Sequence, residues 1–377
     1  MKTTESQRII VKIGTNVLTN GTDSLNQKTM SSLAAQIATL IQKDIEVILI
    51  TSGAIAAGRH KANSNHRTEN LTTKDVHSRQ VLAAVGQAQL MRSWDEIFQK
   101  HSIIAGQALL TRNDLNDRAG YLNARNTLTQ MLSLKILPII NENDVVSIEE
   151  IDQSTIGDND YLSAQVANLV DADLLLILTD TEGLFSENPH TNNSAYLIKK
   201  VEKIDDSIMK MAGKPSERGT GGMSSKIIAA RLATQHGAHV IIAHGHKDSV
   251  IIDACHHKNV GTLFLPTGDR TESKRRYLMS GLQVQGRIII DDGAVKALQH
   301  SGTSLLPAGV LKAEGNFLRG SVVEIYSDSN AHIATGIVNY DLDEIEKIAG
   351  KHSDDISKTL GYAHSIEIIH RNNLILI

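Results

Sequence analysis

Two lysines, a glycine-rich loop and two groups of carboxylates and carboxamides carry the chemistry this sequence offers. The stretch Gly219-Thr220-Gly221-Gly222-Met223-Ser224-Ser225-Lys226 sets three glycines within four residues, then a hydroxyl pair and a lysine. Apolar residues spaced for a helix face follow from Ile227 to Ala233. A glycine-rich turn feeding a helix start presents unpaired backbone N–H groups at the positive end of the helix dipole, which suits a phosphate. Lys226, one turn in, could bring a full charge to the same anion. The stretch departs from a Walker A loop, because Lys226 is preceded by Ser225 and followed by Ile227. It also departs from the dinucleotide fingerprint, since Ser224 stands where a third glycine is needed. Taken alone it is equally compatible with a plain helix start, so the case for nucleotide rests on other segments.

The second lysine, Lys12, interrupts the apolar run Arg8-Ile9-Ile10-Val11-Lys12-Ile13 just before Gly14-Thr15-Asn16. A lysine inside a strand is costly unless its charge meets a partner. At the carboxyl end of a central parallel strand it would face bound ligand, and Gly14 would let backbone approach closely. Ser52 follows the run Val47-Ile48-Leu49-Ile50, placed either to bind substrate or to cap a helix. Asn141-Glu142-Asn143-Asp144 follows Ile136-Leu137-Pro138-Ile139-Ile140. Gly157-Asp158-Asn159-Asp160 opens a helix expected over 161–170. Asp and Asn are ordinary turn and cap residues, but two such groups bordering apolar elements point to a polar pocket. Carboxamides and carboxylates together suit a substrate carrying both an ammonium and carboxylates. Thr179-Asp180 ends a further apolar strand, Leu174–Leu178.

The elements that must position these groups alternate. Strands are expected at 8–13, 47–50, 103–110, 136–140, 174–178 and 238–243. Between them lie helices, among them one capped by Asn26 with the stripe Met30, Leu33, Ile37 and Leu40, and a long one from Val81 to Phe98. Residues 60–75 read as a polar surface loop. This alternation predicts an α/β fold, a mostly parallel open sheet sandwiched by helices. Past Pro266-Thr267-Gly268-Asp269 the texture changes to short β-rich segments: 286–290, 321–326 and 333–338. The expected division is a catalytic domain over 1–268, a linker over 269–280 and a small β-barrel-like domain over 281–377.

Composition narrows the function. Of 377 residues, 41% are hydrophobic, enough for a sizeable core, and only 3% are aromatic, too few for an extended base-stacking surface. The net charge of −4 hints at no nucleic-acid or membrane partner, and a single cysteine, Cys255, suits a reducing compartment. Ile9-Ile10-Val11 is too short for a signal-peptide core and no apolar run is long enough to cross a bilayer, so a soluble cytoplasmic protein is expected. Six histidines between His236 and His257 match no common zinc spacing and read as surface residues.

These segments together resemble the amino acid kinase family, and within it the branch that phosphorylates glutamate. Val11-Lys12-Ile13-Gly14-Thr15, Thr51-Ser52-Gly53-Ala54-Ile55-Ala56-Ala57-Gly58, Asn141–Asp144, Gly157–Asp160, Leu178-Thr179-Asp180 and the 219–226 loop stand in the family's order and at its spacing. The tail is similar to a PUA domain through Asp291-Asp292-Gly293-Ala294, Ser304–Gly309 and Gly315–Gly320. The resemblance implies transfer of the ATP γ-phosphoryl group to the side-chain carboxylate of L-glutamate, opening proline synthesis. It implies that Lys12 and Lys226 act on the transferring group, with Ser52, Asp144 and Asn159, joined by Asn141 and Asp158, holding the substrate. It also implies that Lys12, Thr179, Asp180 and the loop residues Thr220, Gly221, Gly222, Met223, Ser224, Ser225 and Lys226 hold ATP. Magnesium with ATP, feedback inhibition by proline, a homo-oligomer (dimer or tetramer) and a hand-off to glutamyl phosphate reductase come with the family. Residues 281–377 hold 8 Lys and Arg against 12 Asp and Glu, a balance of −4, the wrong sign for RNA binding by the PUA domain.

A glutamate side chain, with a pKa of about 4.3, is already an anion at neutral pH, so the nucleophile needs no general base. The task is positioning and charge neutralisation. Asp158 or Asp160 could hold the two lysines through ion pairs, which makes Lys12, Lys226 and Asp160 the catalytic candidates. Magnesium would ride mainly on ATP oxygens and water, with no protein metal ligand assigned.

Overall fold

The computed structural model describes residues 7–63, 75–147, 158–189, 191–213, 222–256, 258–268 and 284–377. The chain divides into two compact units, Met1–Leu115 with Thr127–Gly268, and Asn116–Asn126 with Asp269–Ile377.

Among its described residues the first unit is built on eight strands. In chain order they are β1 (Arg8–Ile13), β2 (Glu46–Ile50), β3 (Ala105–Leu110), β4 (Leu137–Glu142), β5 (Leu174–Thr179), β6 (Lys200–Val201), β7 (His239–His244) and β8 (Gly261–Phe264). They lie side by side in the order β3-β4-β2-β1-β5-β7-β8-β6. Every neighbouring pair is parallel except β7 with β8. The helices are α1 (Thr15–Thr19), α2 (Gln27–Ile41), α3 (Ala54–Asn63), α4 (Val76–Gln99), α5 (Arg112–Asn116), α6 (Arg118–Ser133), α7 (Asp158–Leu169), α8 (Asp206–Met211), α9 (Met223–Gln235) and α10 (Val250–Cys255). The expected α/β architecture is present.

Strand periodicity sorts side chains between the two faces of the sheet. Ile9, Val11 and Ile13 join one core with the α2 stripe, with Trp94 and Phe98 of α4, and with Val250 and Ala254 of α10. Asn26 caps α2 as expected, its Oδ1 accepting from Thr29 N at 3.0 Å. Each fully buried Leu or Ile there contributes roughly 1.5–3 kcal/mol. The alternate residues Ile10 and Lys12 face the other side, where α7 and α9 lie. Because the strands are parallel, the chain leaves β1, β2, β4 and β5 at one edge of the sheet. Gly14, Thr51-Ser52, Asn141–Asp144 and Thr179-Asp180 gather there.

Several boundaries differ from the sequence reading. The long helix starts at Val76 rather than Val81, β3 at Ala105 rather than Ile103, and α7 at Asp158 rather than Tyr161. Asn141 and Glu142 extend β4, where their backbone pairs with Leu109 and Leu110 of β3, instead of forming a turn. Residues 60–63 belong to α3 rather than a loop, because the periodic run from Ala54 continues through them; residues 64–74 lie outside the described residues. Of the six histidines, His236, His239 and His244 are half-buried rather than on the surface, because they close an element or flank a buried strand; His257 is outside the described residues. Among the described residues no group of three or more His, Cys, Asp or Glu could hold a metal ion.

Among the described residues the second unit has five strands, β9 (Gly286–Ile290), β10 (Val310–Gly315), β11 (Val322–Ser327), β12 (His332–Ile337) and β13 (Leu374–Leu376), in the order β10-β9-β11-β12-β13. Only β9 with β11 is parallel. Its core gathers Ile288, Val323, Ile325, Ala334 and Tyr340 with Ile345 and Ile348 from the helix Leu342–Ile348. Strands β10 and β13 and that helix are additions to the three segments read from sequence. The start of α6 lies within Asn116–Asn126 and so belongs to this second unit, where Leu122 packs with Val322 and Ile337.

Candidate active site

One carboxylate organises the charged part of the site. Asp160 sits in the first turn of α7, where a helix N-terminus favours a negative group. Its Oδ1 accepts from Lys12 Nζ at 2.5 Å, and its Oδ2 accepts from Lys226 Nζ at 3.1 Å and from Ser225 Oγ at 2.7 Å. Lys12, Asp160 and Lys226 are 5%, 2% and 5% exposed, so this is a buried triad and not a surface ion pair. The two cations come from positions far apart in the chain, β1 and the first turn of α9, and meet because both elements address the α7 face of the sheet.

The electrostatics follow from burial and charge together. Burial alone would raise the Asp160 carboxyl, but the ammonium groups of Lys12 and Lys226 hold it well below the usual carboxylate range. For Lys12 burial dominates and lowers its pKa. Asp160 opposes that shift, and Lys226 adds to it by like-charge repulsion. Two cations share one anion, leaving a net positive charge suited to a phosphoryl group.

The neutral part of the site lies beside the triad. Asn159, next to Asp160, turns its amide the other way: Nδ2 donates to Ser52 Oγ at 3.1 Å and to Asn141 Oδ1 at 3.1 Å. Asn141 Nδ2 in turn donates to Gln87 Oε1 of α4 at 2.8 Å. Ser52 is held in a sharp strand-to-helix turn whose next residue, Gly53, has φ +101°, a conformation glycine adopts without a steric penalty. Thr51 accepts from Trp94 Nε1 at 2.9 Å, tying that turn to α4. Asp144 lines a small cleft with Ile55, Val76, Arg79, Gln80 and Ser147.

At the neighbouring ends of β5 and β7 the chain turns around Thr179. Thr179 O accepts from Gly245 N at 2.8 Å, and Thr179 Oγ1 donates to Asp180 Oδ1 at 3.0 Å. Asp180 Oδ2 accepts from Asn16 Nδ2 at 2.7 Å. Burial would raise the Asp180 carboxyl, but these hydrogen bonds bring it below its ordinary value. Helix α9 starts at Met223 after Gly222, an N-cap glycine that has no side chain to offer its first N–H groups. Of the loop residues, Gly222, Met223, Ser224, Ser225 and Lys226 are described; Thr220 and Gly221 lie outside the described residues, as does the side chain of Asp158.

The structure thus brings Lys12, Lys226, Asp160 and Ser225 together, and separately Ser52, Asn141 and Asn159. Sequence reasoning missed Gln87 and Asn16. Gln87 follows directly on the small-residue run Leu82–Gly86, and a polar residue closing such a run was the available signal. Asn16, beside Gly14, had none.

A model of the amino acid kinase family matches residues 7–244, and a PUA domain model matches residues 286–360. Among curated relatives, a glutamate 5-kinase of Dehalococcoides mccartyi is 47% identical over 372 residues, covering 98% of each chain. One from Shewanella oneidensis is 45% identical, again covering 98% of each. One from Aliivibrio fischeri is 45% identical, covering 99% of this chain and 100% of the relative.

Proposed function

We infer the function from one premise: the chain belongs to the amino acid kinase family. It is an ATP-dependent kinase that phosphorylates the side-chain carboxylate of L-glutamate, giving L-glutamyl 5-phosphate, the first step of proline biosynthesis from glutamate. The observation that carries this reading onto particular residues is the sharing of Asp160 by Lys12 and Lys226 next to a cup of neutral amides.

In this reading the triad is the donor side. The substrate carboxylate arrives as an anion and attacks the γ-phosphorus directly. Lys12 neutralises the transferring group and Lys226 the leaving end; Asp160, with Ser225, fixes both ammonium groups before substrate arrives. Such preorganised charges avoid reorganisation during the reaction, and removal of one typically costs about 10²–10³ in turnover. Thr179, Asp180 and the residues 220–226 hold the nucleotide. Ser52, Asn141, Asp144, Asp158 and Asn159 hold the amino acid, whose ammonium needs acceptors and whose α-carboxylate needs donors.

Magnesium enters with the nucleotide. Both Asp160 oxygens are engaged by Lys12, Lys226 and Ser225, a donor set that fits an ion carried on phosphate oxygens and water. When bound it supplies charge neutralisation between the phosphates. Inhibition by proline, assembly into a dimer or tetramer, and transfer of the labile product to glutamyl phosphate reductase complete the proposal. It places the protein in the cytoplasm and divides the chain at residues 268 and 281. The second unit serves a structural role, or one in regulation or assembly, rather than RNA binding.

Hydroxylamine trapping of the acyl phosphate tests the acceptor. L-glutamate should give a hydroxamate in the presence of ATP and magnesium, while aspartate and carbamate should give no trapped acyl product and UMP should give no ADP release. A chain that phosphorylates one of those three and leaves glutamate untouched would end this reading.

A further inference from the structure

Gln87 is brought to the acceptor cup by an unusually close helix crossing. A Cβ on Gly86 would lie 1.8 Å from Ala54 O, and one on Gly58 would lie 1.8 Å from Leu82 O, so α3 and α4 touch backbone to backbone. This contact sets the residue after Gly86 beside the turn that carries Ser52.

The hydrogen bonds there run head to tail. Asn159 Nδ2 donates to Asn141 Oδ1, and Asn141 Nδ2 donates to Gln87 Oε1. Every amide in the chain therefore points the same way, and each end keeps one unused atom. Asn159 Oδ1 and Gln87 Nε2 are both buried and have no hydrogen-bond partner among the described residues. The first can only accept; the second can only donate. Buried polar groups left unpaired are expensive, on the order of 1–3 kcal/mol each, and mark places a ligand completes. An acceptor at one end and a donor at the other match the ammonium and α-carboxylate of an amino acid. We propose that Gln87 is a specificity residue for the acceptor: its Oε1 fixes the direction of the amide chain, and its Nε2 donates to the substrate α-carboxylate. This deepens the glutamate kinase reading and rests on it.

The test compares L-glutamate with 4-aminobutanoate, which lacks only the α-carboxylate, by ATP-dependent ADP release. The ratio of kcat/KM for the two substrates is measured in the wild type, Gln87→Leu and Gln87→Glu, with thermal melting as a check of folding. The wild type should prefer L-glutamate, and Gln87→Leu should shrink that preference by about tenfold or more, while KM for ATP stays within about twofold. Gln87→Glu keeps the acceptor for Asn141 but sets an anionic oxygen against the carboxylate, so it should shrink the preference at least as far. If Gln87→Leu does not fold, the near-isosteric Gln87→Glu decides alone. Equal losses on both substrates, or an unchanged preference in Gln87→Glu, would overturn the proposal. A wild type with no glutamate-dependent ADP release would instead sink the functional reading beneath it.

Discussion

In the proposed reading, the two halves of the site solve opposite problems with opposite means. On the donor side three formal charges are buried together, and a single carboxylate divides its oxygens between two ammonium groups. On the acceptor side Ser52, Asn141, Asn159 and Gln87 are neutral, tied by hydrogen bonds between 2.8 and 3.1 Å. The difference reflects what each must meet. A phosphoryl group in transit carries charge that changes place, and fixed cations follow it. A zwitterion carries charges of both signs at fixed places; the amides offer it an acceptor and a donor, and the carboxylates proposed beside them, Asp144 and Asp158, offer its ammonium an anion. Burying charges is expensive, because desolvation costs several kcal/mol per ion, so the triad holds only while all three members remain. An amide chain degrades by single hydrogen bonds.

The largest expected effect follows from that asymmetry. Asp160→Ala leaves two buried ammonium groups facing each other with no anion between them. Turnover in the hydroxamate assay should fall by about 10³ or more, with a loss of roughly 3–5 kcal/mol in stability to urea. Near-normal turnover would mean that the triad is a structural strut. Next in size, Lys12→Ala and Lys226→Ala should each lower kcat by about 10²–10³ while KM for glutamate changes little. Because the two cations act as one unit through Asp160, loss of the first already removes part of what the second supplies, so the double variant should lose less than the product of the two single losses. A simple product would show that the lysines work independently.

How much of this was legible in the sequence depends on the kind of signal each residue gives. Lys12 announced itself, because a charge inside an apolar β-branched run has few places to go, and strand parity settles which face it takes. The parallel sheet was legible because βαβ alternation leaves little topological choice, and that choice put Ser52, Asn141 and Thr179 on one edge. The partnership of Lys12 with Asp160, 148 positions away, could be guessed only as a choice between Asp158 and Asp160. One turn of helix geometry decides it, and sequence spacing alone does not. Gln87 had only the run Leu82–Gly86 before it as a signal. A polar residue on a long helix normally faces water, and only the contact between α3 and α4 at Gly58 and Gly86 turns this one inward. In the second unit, β13 is only three residues long and carries no periodicity to detect.

On the acceptor side the effects should be smaller and fall on binding. Asn159→Ala removes two donated hydrogen bonds and the free acceptor, so KM for glutamate should rise by about tenfold to a hundredfold, with kcat and KM for ATP much less affected. Should kcat fall as steeply as for the lysine variants, the boundary between a charged donor side and a neutral acceptor side would be drawn in the wrong place.

The mildest effect is a pH dependence that the two sides should not share. Lys12 has its pKa lowered by burial, so in the folded enzyme its ammonium is lost at a lower pH than the ordinary lysine value of 10.5. The unfolded chain then binds more protons than the folded one in that window, and deprotonation of Lys12 adds to stability as pH rises. Asp160 works at the other end. Its folded pKa is depressed, so its contribution is complete above its unfolded value of about 3.9 and is lost only as pH falls through the folded value. The alkaline limb of kcat should therefore begin below pH 10.5 without a matching drop in melting temperature. The amides of the cup do not titrate, so KM for glutamate should stay within about twofold between about pH 6 and pH 8.5, below the range in which the substrate ammonium itself is lost. A kcat that falls only together with melting temperature would assign the alkaline limb to unfolding and remove Lys12 from it.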